Sequence, residues 1–269
     1  KFSGVSYFLS LEHLEDILFC FFDEPGKSLK IETYQSKKKA TGNWKIDTEL
    51  SEIVVKILKA GKSLINDPHP KSDNYSHNLN FSSNTPIQLK KTVITASTPK
   101  KKTKTISRNI NEEDCEVTYG ELQKELQNKL VEEVEKTDCY VNDCLGEELV
   151  NLKFLYLDFN KTSKEQENQL RSKLEDLFSS ISDTKAALDT IFRLFREVEL
   201  TYNQKSKARL SDESKQVKSQ DVDAAIQIIT TKSKAFDFWR EHKREVGKKL
   251  GIKPFERDSF EMKFTLAFE

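Results

Sequence analysis

Leu170, Leu174, Leu177, Ile181, Thr184, Leu188, Ile191, Phe195, Val198 and Tyr202 follow one another at alternating spacings of four and three. An α-helix returns to the same face at those steps, so the run predicts a coiled-coil or bundle seam. No Gly or Pro falls between Gly146 and Gly247. A helix over 163–206 would be about 66 Å long at ~1.5 Å per residue. Phe178, Ala187, Phe192 and Leu194 flank the seam, where a two-stranded coil normally carries charge. The extra apolar width predicts packing among three or four helices, from this chain or from partners.

Composition agrees with long helices. Of 269 residues, 33% are charged and 36% hydrophobic, with only 8 Gly and 6 Pro. Few turn-formers argue against a sandwich or barrel, and few glycines against phosphate-cradling loops. Net charge is zero but blocked. Seven basic and no acidic residues lie in 74–111, thirteen acidic and three basic in 112–148, and thirteen basic and seven acidic in 204–253. Such blocks mark solvated faces, or contacts with nucleic acid or another subunit. No apolar run approaches the ~18–20 residues of a membrane-spanning helix. Cys20, Cys115, Cys139 and Cys144 form no CxxC pair. They read as reduced structural cysteines of an intracellular protein.

Four segments follow. Residues 1–68 form a small helical or α+β head. Its first helix, over Leu11–Phe22, would carry Leu11, Leu14, Ile17, Leu18, Phe21 and Phe22 on one stripe. A strand over Ser28–Tyr34 and a second helix after Thr48 follow, the helix ending at Asp67-Pro68. Residues 69–113 are rich in Ser, Thr, Asn and Lys and predict a flexible basic linker, with a short strand possible at 87–95. Residues 114–206 form the helical region, opened by a capping box at Thr118–Glu121. Residues 207–269 predict a basic helix, then a half-buried strand in which Phe260, Met262, Phe264, Leu266 and Phe268 alternate with polar residues. The fold class expected is mainly α, with a long coiled-coil or bundle segment, a small α+β head and a C-terminal strand.

No side chains assemble into a catalytic, cofactor or metal pattern, so a non-enzyme without cofactor is expected. Gly26-Lys27-Ser28 lacks the first glycine of a P-loop, and the paired glutamates of 112–148 read as helix surface. Thr98-Pro99-Lys-Lys101 and Thr85-Pro86 offer phosphorylation sites, and phosphate on Thr98 would sit beside Lys100, Lys101, Lys102 and Lys104. Those lysines also fit a nuclear import signal. Trp239 falls on the apolar face of the basic helix at 232–253, whose cations would face solvent or nucleic acid. Together these features predict a nuclear scaffold or assembly subunit, cell-cycle regulated, binding protein partners through Leu170, Leu174, Leu177, Ile181, Leu188, Ile191, Phe192, Phe195, Val198 and Tyr202. Strand pairing at 260–268 is a second expected contact. The layout resembles that of kinetochore and other chromosome-associated assembly subunits. The alternative is a nucleic-acid-binding protein using the head and the 232–253 helix.

Overall fold

The structure, a computed structural model, describes residues 5–13, 15–24, 26–96, 102–137, 146–159, 162–177, 184–202, 209–224 and 226. The chain divides into two units, one of residues 2–166 and 195–219, the other of residue 1, 167–194 and 220–269. The expectation of a mainly α fold is overturned, because the first unit is built on a seven-stranded mixed sheet and a three-stranded sheet.

The correction begins with the first predicted helix. Tyr7–His13 and Glu15–Glu24 are strands, β1 and β2, and Lys27–Lys37 is β3, in an antiparallel meander. The run Ile17-Leu-Phe-Cys-Phe-Phe22 is apolar at both parities, as in a strand covered on both faces, and a helical stripe can be read into such a run. Leu18 and Cys20 are fully buried, with Phe8, Ile31 and Leu64 in one core cluster. Phe19 and Phe21 point the other way, ringed by Tyr7 and Tyr34 at centroid distances of 6.0–6.3 Å. Gly26, at φ 83°, supplies the left-handed residue that turns β2 into β3.

A two-residue strand, β4 (Trp44–Lys45), and the helix α1 (Thr48–Asn66) follow. The Asp47 side chain caps α1 by accepting from the Leu50 amide at 3.1 Å. Leu50, Ile53, Val54, Ile57 and Leu58 are buried, as their spacing predicts. α1 is the crossover between β3 and its parallel neighbour β5 (Lys71–Ser83).

Residues 69–113, expected as a flexible linker, hold three strands. These are β5, β6 (Ile87–Ala96) and β7 (Lys102–Ile110). Polar content hid them. In β5 the polar side chains find partners, with the Asn78 and Asn80 amides donating to the Glu32 carboxylate at 2.8 and 3.0 Å. Leu79 and Phe81 fill the core. β6 and β7 form a hairpin, and β4 lies parallel to β6.

After β8 (Glu116–Thr118) the capping box at Thr118–Glu121 is present, opening a single 3₁₀ turn. The helix α2 (Lys124–Thr137) buries Leu126, Leu130 and Val134. The helical reading of Leu145–Phe159 gives way to a 3₁₀ segment at Gly146–Asn151 and a strand, β9 (Leu152–Tyr156), parallel to β5. β10 (Val217–Lys218) joins the far edge at β1. The order β10-β1-β2-β3-β5-β9-β8 thus sets three parallel strands among antiparallel neighbours.

The heptad pattern lies on two helices, α3 (Ser163–Leu177) and α4 (Thr184–Tyr202). Residues 178–183 and 203–206 lie outside the described residues, as do the basic helix of 232–253 and the strand of 260–268.

Candidate functional site

β2 and β3 bring together three side chains that are far apart in sequence. Ile17 pairs with Tyr34, so one step further along the ladder Asp16 stands opposite Gln35. Side chains alternate between faces, which puts Asp16, Gln35 and Lys37 on the face that carries Leu18, Thr33 and α1. The site lies at the carboxyl ends of the parallel strands, the usual place for ligands in sheets with such crossovers. Asp16 Oδ2 accepts from the Ser36 amide at 2.7 Å and lies 3.9 Å from Lys37 Nζ. Both charged side chains reach solvent, Asp16 at 31% and Lys37 at 39% exposure. Gln35 is 8% exposed, and its Nε2 meets no partner. A buried amide donor without a protein partner costs about 1–3 kcal/mol, which singles out Gln35 beside the Asp16–Lys37 pair.

The surroundings fix these groups on rigid strands. Ser36 Oγ shares a hydrogen bond with Ser82 Oγ at 2.7 Å, and the Lys39 amide donates to Asn84 Oδ1 at 3.4 Å. The Trp44 indole donates to Ser83 Oγ at 2.7 Å, and Ser83 pairs with Lys37 in register. Lys39 Nζ lies 4.1 Å from the Trp44 ring centroid and 2.6 Å from Glu49. Lys38 Nζ donates to Gln166 at 3.3 Å. Three consecutive lysines therefore run out of the carboxyl end of β3.

Two other polar clusters in this unit are internally satisfied. On the opposite sheet face, burial raises the Glu32 carboxyl, but the Lys30 ammonium at 2.6 Å and the Asn80 and Asn78 amides outweigh it and hold it below its ordinary value. Beneath α1, His77 Nε2 and Glu148 Oε2 lie 2.6 Å apart, with Asn151 Nδ2 at 3.1 and 3.3 Å. These clusters join strands and turns. Among the described residues no three His, Cys, Asp or Glu side chains gather for a metal ion, so a cation at the β2–β3 site would rest on one carboxylate, Asp16, and the oxygen of the Gln35 amide.

Of the residues singled out in the sequence, Leu188 and Val198 are buried, Leu170, Leu174, Ile191 and Phe195 are half-buried, and Leu177 and Phe192 are exposed at 59% and 45%. Ile181 lies outside the described residues, and Tyr202 ends α4. Thr85 is 7% exposed, bonded to Ser83 through its amide and hydroxyl. Thr98, Lys100 and Lys101 lie outside the described residues, Lys102 opens β7, and Lys104 is exposed on it.

Sequence reasoning passed over Asp16, Gln35 and Lys37. Asp16 stood inside the supposed helix, and Gln35 and Lys37 beyond the end of the predicted strand. A usable signal was present: an acid opening an apolar run, then Gln-x-Lys closing the next alternating strand. Comparison with protein-family models, curated proteins and solved structures finds no match.

Proposed function

We propose that the protein is a metal-dependent phosphodiesterase acting on nucleic acid. The observation that carries this reading is the convergence of Asp16, the unpaired buried Gln35 amide and Lys37 at the carboxyl ends of the parallel strands. Magnesium keeps several waters and needs only one or two carboxylates plus the substrate's own phosphate oxygens. Asp16 supplies one such carboxylate, and the Gln35 Nε2 donor beside it suits a phosphate oxygen of the substrate. Lys37 supplies a compact positive charge beside it, suited to a non-bridging phosphate oxygen.

A divalent cation held by Asp16 would supply a water activated for attack at neutral pH. Hydroxide adds to phosphorus, the bond from phosphorus to the leaving sugar oxygen breaks, and that oxygen takes a proton from solvent. Asp16 holds the cation, and Lys37 stabilises the charge gathering on the phosphate. Lys38 and Lys39 extend the positive field along the path of a polyanion. This departs from the expectation of a non-enzymatic scaffold because the three groups meet only across a strand pair.

The test is incubation of the purified chain with supercoiled plasmid and with single-stranded DNA and RNA, in Mg²⁺, Mn²⁺ or EDTA. Cleavage that needs metal and falls by about 100-fold or more in Asp16→Asn and Lys37→Ala is expected. Absence of cleavage on every substrate, or full activity in Asp16→Asn, would remove the reading.

Partner binding through α3 and α4 is a second reading. The exposure of Leu177 and Phe192 on these helices favours it. Ile191→Asp, which puts a charge on the apolar stripe of α4, is expected to abolish pull-down of such a partner. Unchanged association would refute it.

A further inference from the structure

The three lysines that leave the carboxyl end of β3 are held in different ways. Lys37 stands 3.9 Å from Asp16, and Lys38 donates to Gln166 at 3.3 Å. Lys39 is fixed from two sides. Its amide donates to Asn84 Oδ1 at 3.4 Å, and its ammonium lies 4.1 Å from the centroid of the Trp44 ring. An ammonium over an indole face is attracted by the ring's quadrupole, most strongly where water is excluded, and Trp44 is 3% exposed.

Trp44 is locked in turn. Its Nε1 donates to Ser83 Oγ at 2.7 Å, its amide to the Pro86 carbonyl at 3.1 Å, and its ring meets Phe81 edge-on at 5.2 Å. Ser83 stands beside Lys37 in the β3–β5 register. One indole therefore reaches from the neighbour of Lys37 to the ammonium of Lys39. It keeps both cations on the side of the sheet that carries Asp16 and Gln35.

The anion that meets Lys39 is held far less firmly. Glu49 Oε2 lies 2.6 Å from Lys39 Nζ, yet the Glu49 side chain is 56% exposed against 24% for Lys39. Among the described residues Lys39 is its one hydrogen-bond partner. Glu49 sits in the first turn of α1, where the helix dipole favours a carboxylate with or without a lysine. Releasing Lys39 therefore costs Glu49 little, because an exposed ion pair contributes little in water. A pair that served to fasten the loop after β3 would fix both partners. Here the cation is fixed and the carboxylate is loose.

We infer that Lys39 is a second phosphate-binding cation of the Asp16 site and that Glu49 is its displaceable counter-ion. The Glu49 carboxylate stands where a non-bridging phosphate oxygen sits in the bound state. A phosphodiester strand takes that place by exchange, while the ammonium stays over Trp44. Lys37 meets the phosphate at Asp16, and Lys39 meets a neighbouring phosphate of the same strand. The nature of the ligand rests on the phosphodiesterase reading, and the exchange on Lys39, Trp44 and Glu49.

The test is fluorescence anisotropy of a labelled DNA strand of about 24 nucleotides, and of its duplex, over a series of salt concentrations. The whole chain is used in EDTA, so that binding is read without cleavage. Lys39→Gln is expected to weaken binding about fivefold and to lower the salt slope by about one. Glu49→Gln is expected to act in the opposite direction, tightening binding about two- to fivefold. The double variant is expected to bind like Lys39→Gln alone, because the carboxylate acts through that one ammonium. Glu52→Gln, exposed on the same helix, reports the smaller effect of removing a negative charge elsewhere. Four results overturn the inference: weaker or unchanged binding in Glu49→Gln, a gain no larger than that of Glu52→Gln, a gain that survives in the double variant, or binding of neither probe by wild type. The expected pattern in a chain that cleaves nothing in Mg²⁺ or Mn²⁺ would sustain the exchange and remove the phosphodiesterase reading alone. Cleavage without the pattern would remove the exchange alone.

Discussion

Gly61 sits inside α1, where a glycine normally costs about 1 kcal/mol relative to alanine. By propensity alone Gly61→Ala would stabilise the protein. The packing reverses the sign. A Cβ at this position would stand 2.5 Å from Glu148 Oε2 and 2.7 Å from Leu79 Cδ1, where ordinary contact begins at 3.4 Å. The Glu148 oxygen would have to retreat by about 0.9 Å. It has nowhere to go, since it is the atom held 2.6 Å from His77 Nε2 and 3.3 Å from Asn151 Nδ2, and Glu148 is only 3% exposed. Disturbing a buried charge-assisted hydrogen bond costs roughly 1.5–3 kcal/mol, and overpacking a core about 1–3 kcal/mol. Set against the propensity gain, Gly61→Ala is expected to destabilise the fold by about 2–4 kcal/mol. Urea unfolding followed by far-ultraviolet circular dichroism reads this as a fall in the midpoint at constant slope. Adding Glu148→Ala separates the clash from any general effect on the helix. Relief of the clash makes the double variant less unstable than the sum of the single changes, by about 1 kcal/mol or more. A stabilised or unchanged Gly61→Ala would show that Glu148 and Leu79 do not lie against α1 as described.

Glu32 gives a pH dependence. Its folded pKa lies below the ordinary 4.5, so its contribution is present above that value and is lost as pH falls through the lower folded value. Acid melts of Glu32→Gln are therefore expected to show a flatter loss of stability below about pH 4.5 than wild type, and parallel curves would refute the pairing with Lys30, Asn78 and Asn80. Burial pushes the Cys20 thiol up to about 11, whereas Cys115 is exposed. At pH 8 iodoacetamide is expected to modify Cys115 in the native protein and Cys20 only on unfolding, as read by peptide mass mapping, and early labelling of Cys20 would contradict its place in the core.

What could be read from the sequence, and what could not, divides along physical lines. α1 was legible because one apolar face recurs at helical spacing over a capped segment, and the opening turn at Thr118 because a capping box needs only local groups. β3 and β6 were legible from alternation. The first two strands were not, because a strand apolar on both faces has no period to detect, and Leu11, Leu14, Ile17, Leu18, Phe21 and Phe22 can be picked from it at helical spacing by chance. β5 was hidden for the opposite reason. Its Ser, Asn and His side chains read as linker until Glu32, Ser36, Glu148 and Asn151 are supplied from elsewhere as partners. Polarity marks a segment as unstructured only when its hydrogen bonds go to water, and a central strand with polar neighbours breaks that rule.

The candidate site follows the same logic. Asp16, Gln35 and Lys37 are each unremarkable alone, in a chain where a third of residues carry charge. Their meaning comes from a register, the pairing of Ile17 with Tyr34, which a helical reading of residues 11–22 excludes from the start. The helical reading therefore left Asp16, Gln35 and Lys37 unconnected. Once the strand is recognised, the choice among the chain's many polar groups becomes narrow. Glu32 spends its carboxylate on three donors, and Glu148 on His77 and Asn151, so both are accounted for by stability. Gln35 Nε2 is buried without a partner, as are Ser10 Oγ and Tyr75 Oη on the same sheet, but it alone stands beside the Asp16–Lys37 pair that reaches solvent. A fold selected for stability alone would replace that glutamine with an apolar side chain of similar size at no loss of hydrogen bonds. That combination of an unpartnered buried donor with two charged groups reaching solvent is the physical ground for taking the carboxyl end of β3 as the candidate site.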